Sequence, residues 1–273
     1  MSRFDEATVL ITGGARGMGK LVARRAVRRR AGRVILWDID GPGLAATADE
    51  LRDLGGAIDT AVVDLADVGQ IETAAARVLA EHGAVGILFN NAGIVVGKPF
   101  ATHSTGEIER CVRINVLAAM HTARAFLPAM IERGRGHLVN IASAVGLTPN
   151  PNMSVYAASK WAVLGWSESL RLELESMHGR VRVTTVCPSY VDTGMFDGAR
   201  APLLTPTLKP DAVVDRIIRA VESDRILVRT PPVVNLLPVL RGLLPTRWFD
   251  RLIGRGFGIY SSMDRFVGRA DKP

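Results

Sequence analysis

Short apolar runs recur along the chain, alternating with stretches whose apolar residues return every three or four positions. Runs of strand length lie at 8–11, 33–37, 58–63, 86–89, 136–141, 181–187 and 226–228. Helical spacing covers 19–30, 44–54, 71–81, 107–133, 155–177 and 212–222. Most of the strand runs are continuously apolar, the pattern of strands with both faces covered. Repeated strand–helix units of this kind predict an α/β fold, a single doubly wound domain with a mainly parallel seven-stranded sheet flanked by helices. Its crossovers should be right-handed.

Two regions break the alternation. Residues 190–210, rich in Pro, Gly and Thr, read as a long loop after the sixth strand, of a length that often marks a lid over a site. Beyond Thr230, Pro231, Pro232, Pro238 and Pro245 separate short apolar pieces. Residues 230–273 are therefore expected to form a helical extension packed on the 1–229 domain, contributing to a substrate pocket or to subunit contacts.

At 273 residues, nearly half of them hydrophobic, the chain can bury one sizeable core. Its net charge is +7, and residues 209–273 carry twelve Lys/Arg against seven Asp/Glu. That excess reads as a solvated arginine-rich surface or as affinity for acidic lipid. The tail holds no nucleic-acid reading module, so nucleic acid is not an expected partner. Only two cysteines are present, Cys111 and Cys187, far apart and in no metal-binding spacing. No disulfide framework and no metal site are expected, and a cytoplasmic location follows. The first strand begins close to Met1, with no apolar stretch of signal-peptide length before it. The most apolar tail segment, 233–244, is broken by Pro238 and Arg241 and falls short of the ~20 apolar residues of a spanning helix. Peripheral contact with a membrane stays open; integral insertion is not expected.

Candidate chemistry lies at two places. Gly13, Arg16, Gly17, Met18 and Gly19 form a loop between the first strand and the first helix, with the spacing T-G-x-x-x-G-x-G. Glycines there permit a tight turn and close backbone approach to a pyrophosphate, and the helix N-terminus offers free N–H groups to it. Asp38, followed by Ile39, stands about twenty residues on, where a carboxylate accepts hydrogen bonds from ribose hydroxyls and repels a 2′-phosphate. Asp40 competes for that role, and Arg16 could meet a phosphate. On balance the acidic residue favours NAD over NADP. Asp64, with Leu65 beside it, is placed to meet adenine, although an acid there can equally cap a helix, for which Asp67 is better placed. Asn90, Asn91, Ala92 and Gly93 follow the fourth strand at the carboxyl edge, where open sheets bind ligands.

The second place is a predicted helix that puts Tyr156 and Lys160 on one face. An ammonium near a phenol favours the phenolate, which could take a proton from an alcohol as hydride leaves its carbon. Ser143, just past the fifth strand, could hold the same substrate oxygen. Asn115, inside the long helical stretch before it, is the fourth candidate, with solvated surface as its plainer reading. Val145, Leu147, Met153 and Met195 are candidates for an apolar cavity or for core.

These residues resemble the short-chain dehydrogenase/reductase family. The glycine loop, Asn90-Asn91-Ala92-Gly93, Asn115, Ser143, Tyr156-x-x-x-Lys160 and Pro188 occur in the family's order and approximate spacing. The resemblance implies a Rossmann-type domain with Tyr156 as acid/base. It implies that Lys160 lowers the tyrosine pKa and binds the nicotinamide ribose, that Ser143 positions the reacting oxygen, and that Asn115 holds a relay water. Pro188, Val191 and Thr193 resemble the segment that meets the nicotinamide, Thr193 at the carboxamide position. Ser189 departs from the more usual Pro-Gly pair. The tail, through Leu244-Pro245-Thr246 and Ser262-Met263-Asp264-Arg265-Phe266-Val267-Gly268-Arg269, resembles the retinol and hydroxysteroid dehydrogenase branch.

The expected activity is hydride transfer between NAD(H) and a small-molecule alcohol, ketone or aldehyde, lipophilic in character, by a homodimer or homotetramer. An NADPH-dependent 3-oxoacyl thioester reductase would use the same catalytic set. A non-catalytic dinucleotide sensor is the alternative from another class.

Overall fold

In a computed structural model of the chain, which describes residues 2–177 and 180–268, alternate residues of a single strand feed two different cores. Val9 and Ile11 pack with Val34, Leu36, Ile87 and Phe89 on one face of the sheet. Leu10 packs with Ile35, Trp37 and Leu88 on the other. This is why the strand runs are apolar throughout. The strands are β1 (Thr8–Thr12), β2 (Arg33–Asp38), β3 (Ile58–Val62), β4 (Ile87–Asn90), β5 (Arg135–Ile141), β6 (Arg180–Pro188) and β7 (Leu227–Thr230). They form one parallel seven-stranded sheet in the order β3-β2-β1-β4-β5-β6-β7, a doubly wound Rossmann-type arrangement. The two edge strands, β3 and β7, alternate buried and more open positions.

Helices α1 (Gly17–Arg28), α2 (Gly41–Asp53) and α7 (Pro210–Glu222) cover the first face. Helices α3 (Val68–His82), α5 (Ala118–Glu132) and α6 (Ser154–Ser176) cover the second. Arg25 on α1 bonds Asp215 and Asp211 of α7, and Arg29 pairs with Glu222, so the basic end of α1 serves helix–helix packing.

The helical stretch expected over 107–133 is corrected to two helices. A capping box between Ser104 and Glu107 starts α4 (Thr105–Val112), and a π-helical turn, Arg113–Leu117, separates it from α5. The extra residue of such a turn re-aims the side chains around it, and it leaves both Asn115 and Val116 buried. The run Thr105–Glu132 has the length and apolar character of a spanning helix. In the fold, Ala119, Ala123, Phe126 and Met130 bury its apolar face within the domain, as a core helix does.

After β6 the chain runs without a helix to Pro210, pinned where Val191 bridges Leu208. The tail then forms α8 (Leu236–Leu243), α9 (Thr246–Phe249) and a π-helical turn, Asp250–Arg255. Val234, Phe249 and Met263 anchor it in the interior. Arg269, the end of the tail motif, lies outside the described residues.

Candidate active site

The glycine loop is held in shape from three sides. Gly13 N and Gly14 N donate to Trp37 O at 2.7 and 3.1 Å, at the end of β2. Asn91 Nδ2 donates to Thr12 O and Gly13 O at 2.9 and 3.1 Å, and Thr12 Oγ1 accepts from Asn91 N and Ala92 N. Ala15 N donates to Asp38 Oδ2 at 3.0 Å. Gly13 and Gly17 take φ of +68° and +57°, where a side chain is strained, and a Cβ on Gly19 would drive into the Gly13 carbonyl. These bonds give Asn91 and Asp38 a structural task alongside their expected ligand contacts.

Helix α1 begins with no side-chain cap and no acidic residue in its first turn, whereas Asp40 caps α2 and Asp67 caps α3. An uncapped positive helix end at a glycine turn suits an anionic pyrophosphate. The cleft above it encloses about 1210 Å³ and is open to solvent. Every expected cofactor residue except Gly19 and Asn115 lines the cleft or its mouth in this region: Gly13, Arg16, Gly17, Met18, Asp38, Ile39, Asp64, Leu65, Asn91, Ala92, Gly93, Tyr156, Lys160, Pro188, Val191 and Thr193. Gly19 packs beneath the loop, and Asn115 sits behind the wall, 3.2 Å from where a Cβ on Gly93 would lie. The donor set, with its free helix terminus and a carboxylate at the β2 end, fits a nicotinamide dinucleotide.

Farther along the cleft, α6 supplies Tyr156 and Lys160, each 4% exposed. Lys160 Nζ donates to Ile141 O at 2.9 Å and lies 5.7 Å from the Tyr156 ring centroid. Burial pushes the lysine down to about 8. Burial also raises the Tyr156 phenol well above its ordinary value, and a hydrogen bond with the Ser143 hydroxyl acts in the opposite direction. The protein groups alone therefore keep this phenol protonated near neutral pH. Ser143 Oγ accepts from Val145 N at 3.3 Å and donates to Pro188 O at 3.4 Å, which places it between the ends of β5 and β6.

Asn115 is buried, not solvated. Its Oδ1 accepts from Ile94 N at 2.8 Å, and its Nδ2 donates to Ile94 O at 2.9 Å and Ser159 Oγ at 3.0 Å. That amide ties the segment after β4 to α6, and Ser159 is a supporting residue that the sequence reading passed over. The only sequence signal was its place one residue before Lys160.

A second chamber of about 870 Å³ adjoins the cleft, and Ser143, Ser189 and Phe196 line both. Its remaining wall is mostly apolar and comes largely from the 190–210 segment and the tail, including Leu203, Leu237, Leu240 and Phe257. Val145 and Met153 line it as the sequence suggested, whereas Leu147 packs in a separate core cluster and Met195 faces the dinucleotide cleft. Tyr190 OH meets Ser262 Oγ at 2.8 Å, and Met263 and Phe266 pack around Tyr156. The tail motif thus forms part of the site. Sequence periodicity could not reveal this, because the tail's apolar pieces are too short to show which face they bury.

Moving a hydride between a nicotinamide and a carbonyl carbon calls for a dinucleotide site beside a proton donor, and one wall of this cleft offers both, as in the nicotinamide-dependent oxidoreductases. The sequence family model "short chain dehydrogenase" matches residues 7–203, and the chain belongs to that family. It is 36% identical over 258 residues to estradiol 17-beta-dehydrogenase 11 of Homo sapiens, covering 90% of this chain and 85% of the relative. It is 35% identical over 269 residues to epidermal retinol dehydrogenase 2 of Homo sapiens, covering 97% and 86%. Among solved structures, a short chain dehydrogenase/reductase from Burkholderia phymatum in complex with NAD superposes with a TM-score of 0.82 at 28% identity, covering 89% of this chain and 95% of that one. A short-chain dehydrogenase from Sphingobium yanoikuyae in complex with NADPH gives 0.75 at 30% identity, covering 98% and 100%. The chain is an NAD(P)-dependent oxidoreductase of the branch that includes retinol and hydroxysteroid dehydrogenases.

Proposed function

We propose that the protein interconverts a bulky lipophilic alcohol and its ketone or aldehyde, of steroid or retinoid size, with NAD(H) as preferred cofactor. The observation that carries this reading is the apolar chamber of about 870 Å³ meeting the dinucleotide cleft at Ser143. Its apolar wall favours a ligand with few polar groups. The names of the retinol and estradiol relatives point to the same substrate class.

A bound nicotinamide dinucleotide supplies the hydride or accepts it. The chain's own residues orient the substrate and move the proton. Ser143 Oγ holds the substrate oxygen at the junction of the two cavities. Tyr156 delivers its proton to that oxygen in reduction and takes it back in oxidation. Lys160, charged below about pH 8, stabilises the phenolate left behind and reaches the ribose region beside Gly93. Asn115 positions the Gly93–Ile94 segment against α6. Preference for NAD rests on the Asp38 carboxylate at the cleft wall, opposed by the exposed Arg16, which pairs weakly with Asp40 at 4.0 Å.

A homodimer or homotetramer through α5 and α6 is supported by the exposed Ile131, Trp161 and Leu172; light scattering gives its mass. Two free, buried cysteines support a reducing, cytoplasmic setting, which cell fractionation tests.

The central test is nicotinamide absorbance with NAD and with NADP against steroid, retinoid and short-chain alcohols, wild type beside Tyr156→Phe. Expected is NAD-linked turnover of the bulky alcohols that the variant loses by about 10²-fold or more, with dinucleotide affinity retained. Undiminished turnover in the variant would remove Tyr156 from the mechanism. Tight dinucleotide binding with no turnover on any alcohol would favour a sensor.

A further inference from the structure

The apolar surface of the tail is unusual in its placement. On α8, Leu236, Val239 and Leu243 recur at helical spacing on the solvent side, while Leu237 and Leu240 turn inward to the substrate chamber. Trp248 and Leu252 continue the exposed patch, with Leu243 76% and Trp248 57% exposed. Across the chamber's mouth stand Leu203 and Leu204, also exposed. Leu203, Leu204 and Leu236 are at once open to solvent and part of the chamber lining, so surface patch and pocket mouth are continuous. A contiguous apolar patch of this kind marks an interaction surface.

Its charge is predominantly positive. Between Pro231 and Gly258 the chain carries Arg241, Arg247, Arg251 and Arg255 against the single Asp250, and that carboxylate already accepts from Tyr260 OH at 2.7 Å. All four arginines are exposed. Arg241 stacks on the Trp161 ring at 4.4 Å and donates to Leu147 O, which leaves Arg247, Arg251 and Arg255. We infer that this face docks the mouth of the substrate chamber onto an anionic lipid surface, with Leu243 and Trp248 entering the interface and those three arginines meeting the headgroups.

The physical logic has three parts. Trp and Leu bury apolar area at a lipid boundary, while arginine stems lie along it and keep their heads in the polar layer. Each arginine near anionic headgroups raises partitioning about fivefold. A second copy of the chain suits the patch less well, because a two-fold contact sets the four arginines of one copy against those of the other. It would also close the chamber's mouth, whereas a lipid surface would be the reservoir of a lipophilic substrate. The inference extends the lipophilic-substrate reading, yet its test requires no turnover.

The experiment is co-flotation of the full chain with phosphatidylcholine vesicles, with and without phosphatidylglycerol, at low and at high salt. Wild type and Tyr156→Phe should float alike with the anionic vesicles, and high salt should release them. The double variant Leu243→Glu with Trp248→Glu, whose positions lie outside the chamber lining, should float at least about tenfold less while keeping turnover of a water-soluble alcohol. Arg247→Glu with Arg251→Glu should lose as much and serves as the second variant if the first has a lowered melting temperature. Absence of flotation with anionic vesicles, or unchanged flotation in both folded variants, overturns the inference. So does a dimer that these substitutions split in a chain that never floats, since the patch then belongs to a second copy. Flotation by a chain that turns over no alcohol upholds the docking face and removes only the substrate reading.

Discussion

Replacing Lys160 with methionine should kill the enzyme and stabilise it, and the stabilisation should depend on pH. Lys160 is almost fully buried, with the Ile141 carbonyl as its hydrogen-bond acceptor. Burial lowers its pKa from 10.5 in the unfolded chain to about 8 in the fold. Above 10.5 the amine is neutral in both states, and its charge costs nothing. As pH falls, the unfolded chain takes up the proton first, so native stability drops until the folded pKa is passed. Below about pH 8 the deficit is complete, about 3 kcal/mol from the difference between the two values. Methionine has a similar shape and no charge, so Lys160→Met removes this deficit. It also takes one donor from Ile141 O, at a cost of about 1–3 kcal/mol that does not vary with pH. The pH-dependent part therefore isolates the buried charge. Urea unfolding of both proteins, followed by circular dichroism at about pH 7 and about pH 10, measures it. The variant's stability relative to wild type should fall by roughly 2–3 kcal/mol between those conditions. A difference that stays constant with pH would refute the assignment of a buried, charge-strained lysine.

Two further outcomes follow from the cofactor wall. Asp38→Asn keeps an acceptor for Ala15 N but removes the charge that repels a 2′-phosphate, so the NADP:NAD ratio of kcat/KM should rise about tenfold or more in steady-state assays. A ratio that does not move would place cofactor choice elsewhere, with Arg16 the first position to examine. Asn91→Ala removes both side-chain bonds that tie β4 to the glycine loop, and should cost about 1–3 kcal/mol in thermal unfolding. NADH fluorescence titration should show weaker binding as the loop loses its shape.

Most of the sheet could be read from the sequence because its signal is local. Seven apolar runs correspond to seven strands, since strands buried on both faces are mostly apolar, with few polar residues such as His137 and Asn140 to blur them. The glycine loop and the Tyr156–Lys160 pair were legible for a similar reason, as their chemistry depends on fixed spacing within one element. Asn115 was legible as a candidate but its burial was not, because a π-helical turn leaves no periodic mark, and one inserted residue moves a side chain from outside to inside. The double role of Asp38 was also hidden, because its bond to Ala15 N depends on two strand ends lying side by side. The wall of the substrate chamber was legible as two regions, the 190–210 loop and the tail, but not residue by residue. It is assembled from residues 190–210 and from a tail whose Ser262, Met263 and Phe266 reach Tyr156 and Tyr190 from a hundred residues or so away in the sequence.

The sheet order also sets a timetable for folding on the ribosome. β1 is made first yet lies in the middle of the sheet, between β2 and β4. Its second edge stays unpaired until β4 follows, roughly 75 residues later, which at ordinary elongation rates is a wait of about 4–15 s. Once β3 is complete at Val62, and until β4 begins at Ile87, the nascent chain can hold a three-stranded half-sheet with an apolar, hydrogen-bonding edge open to other chains. The residues that finally cover it, Ile87 to Asn90, are followed at once by Asn91, whose side chain locks the glycine loop. Closing the vulnerable edge and preparing the dinucleotide cradle are thus one event in the life of the nascent protein.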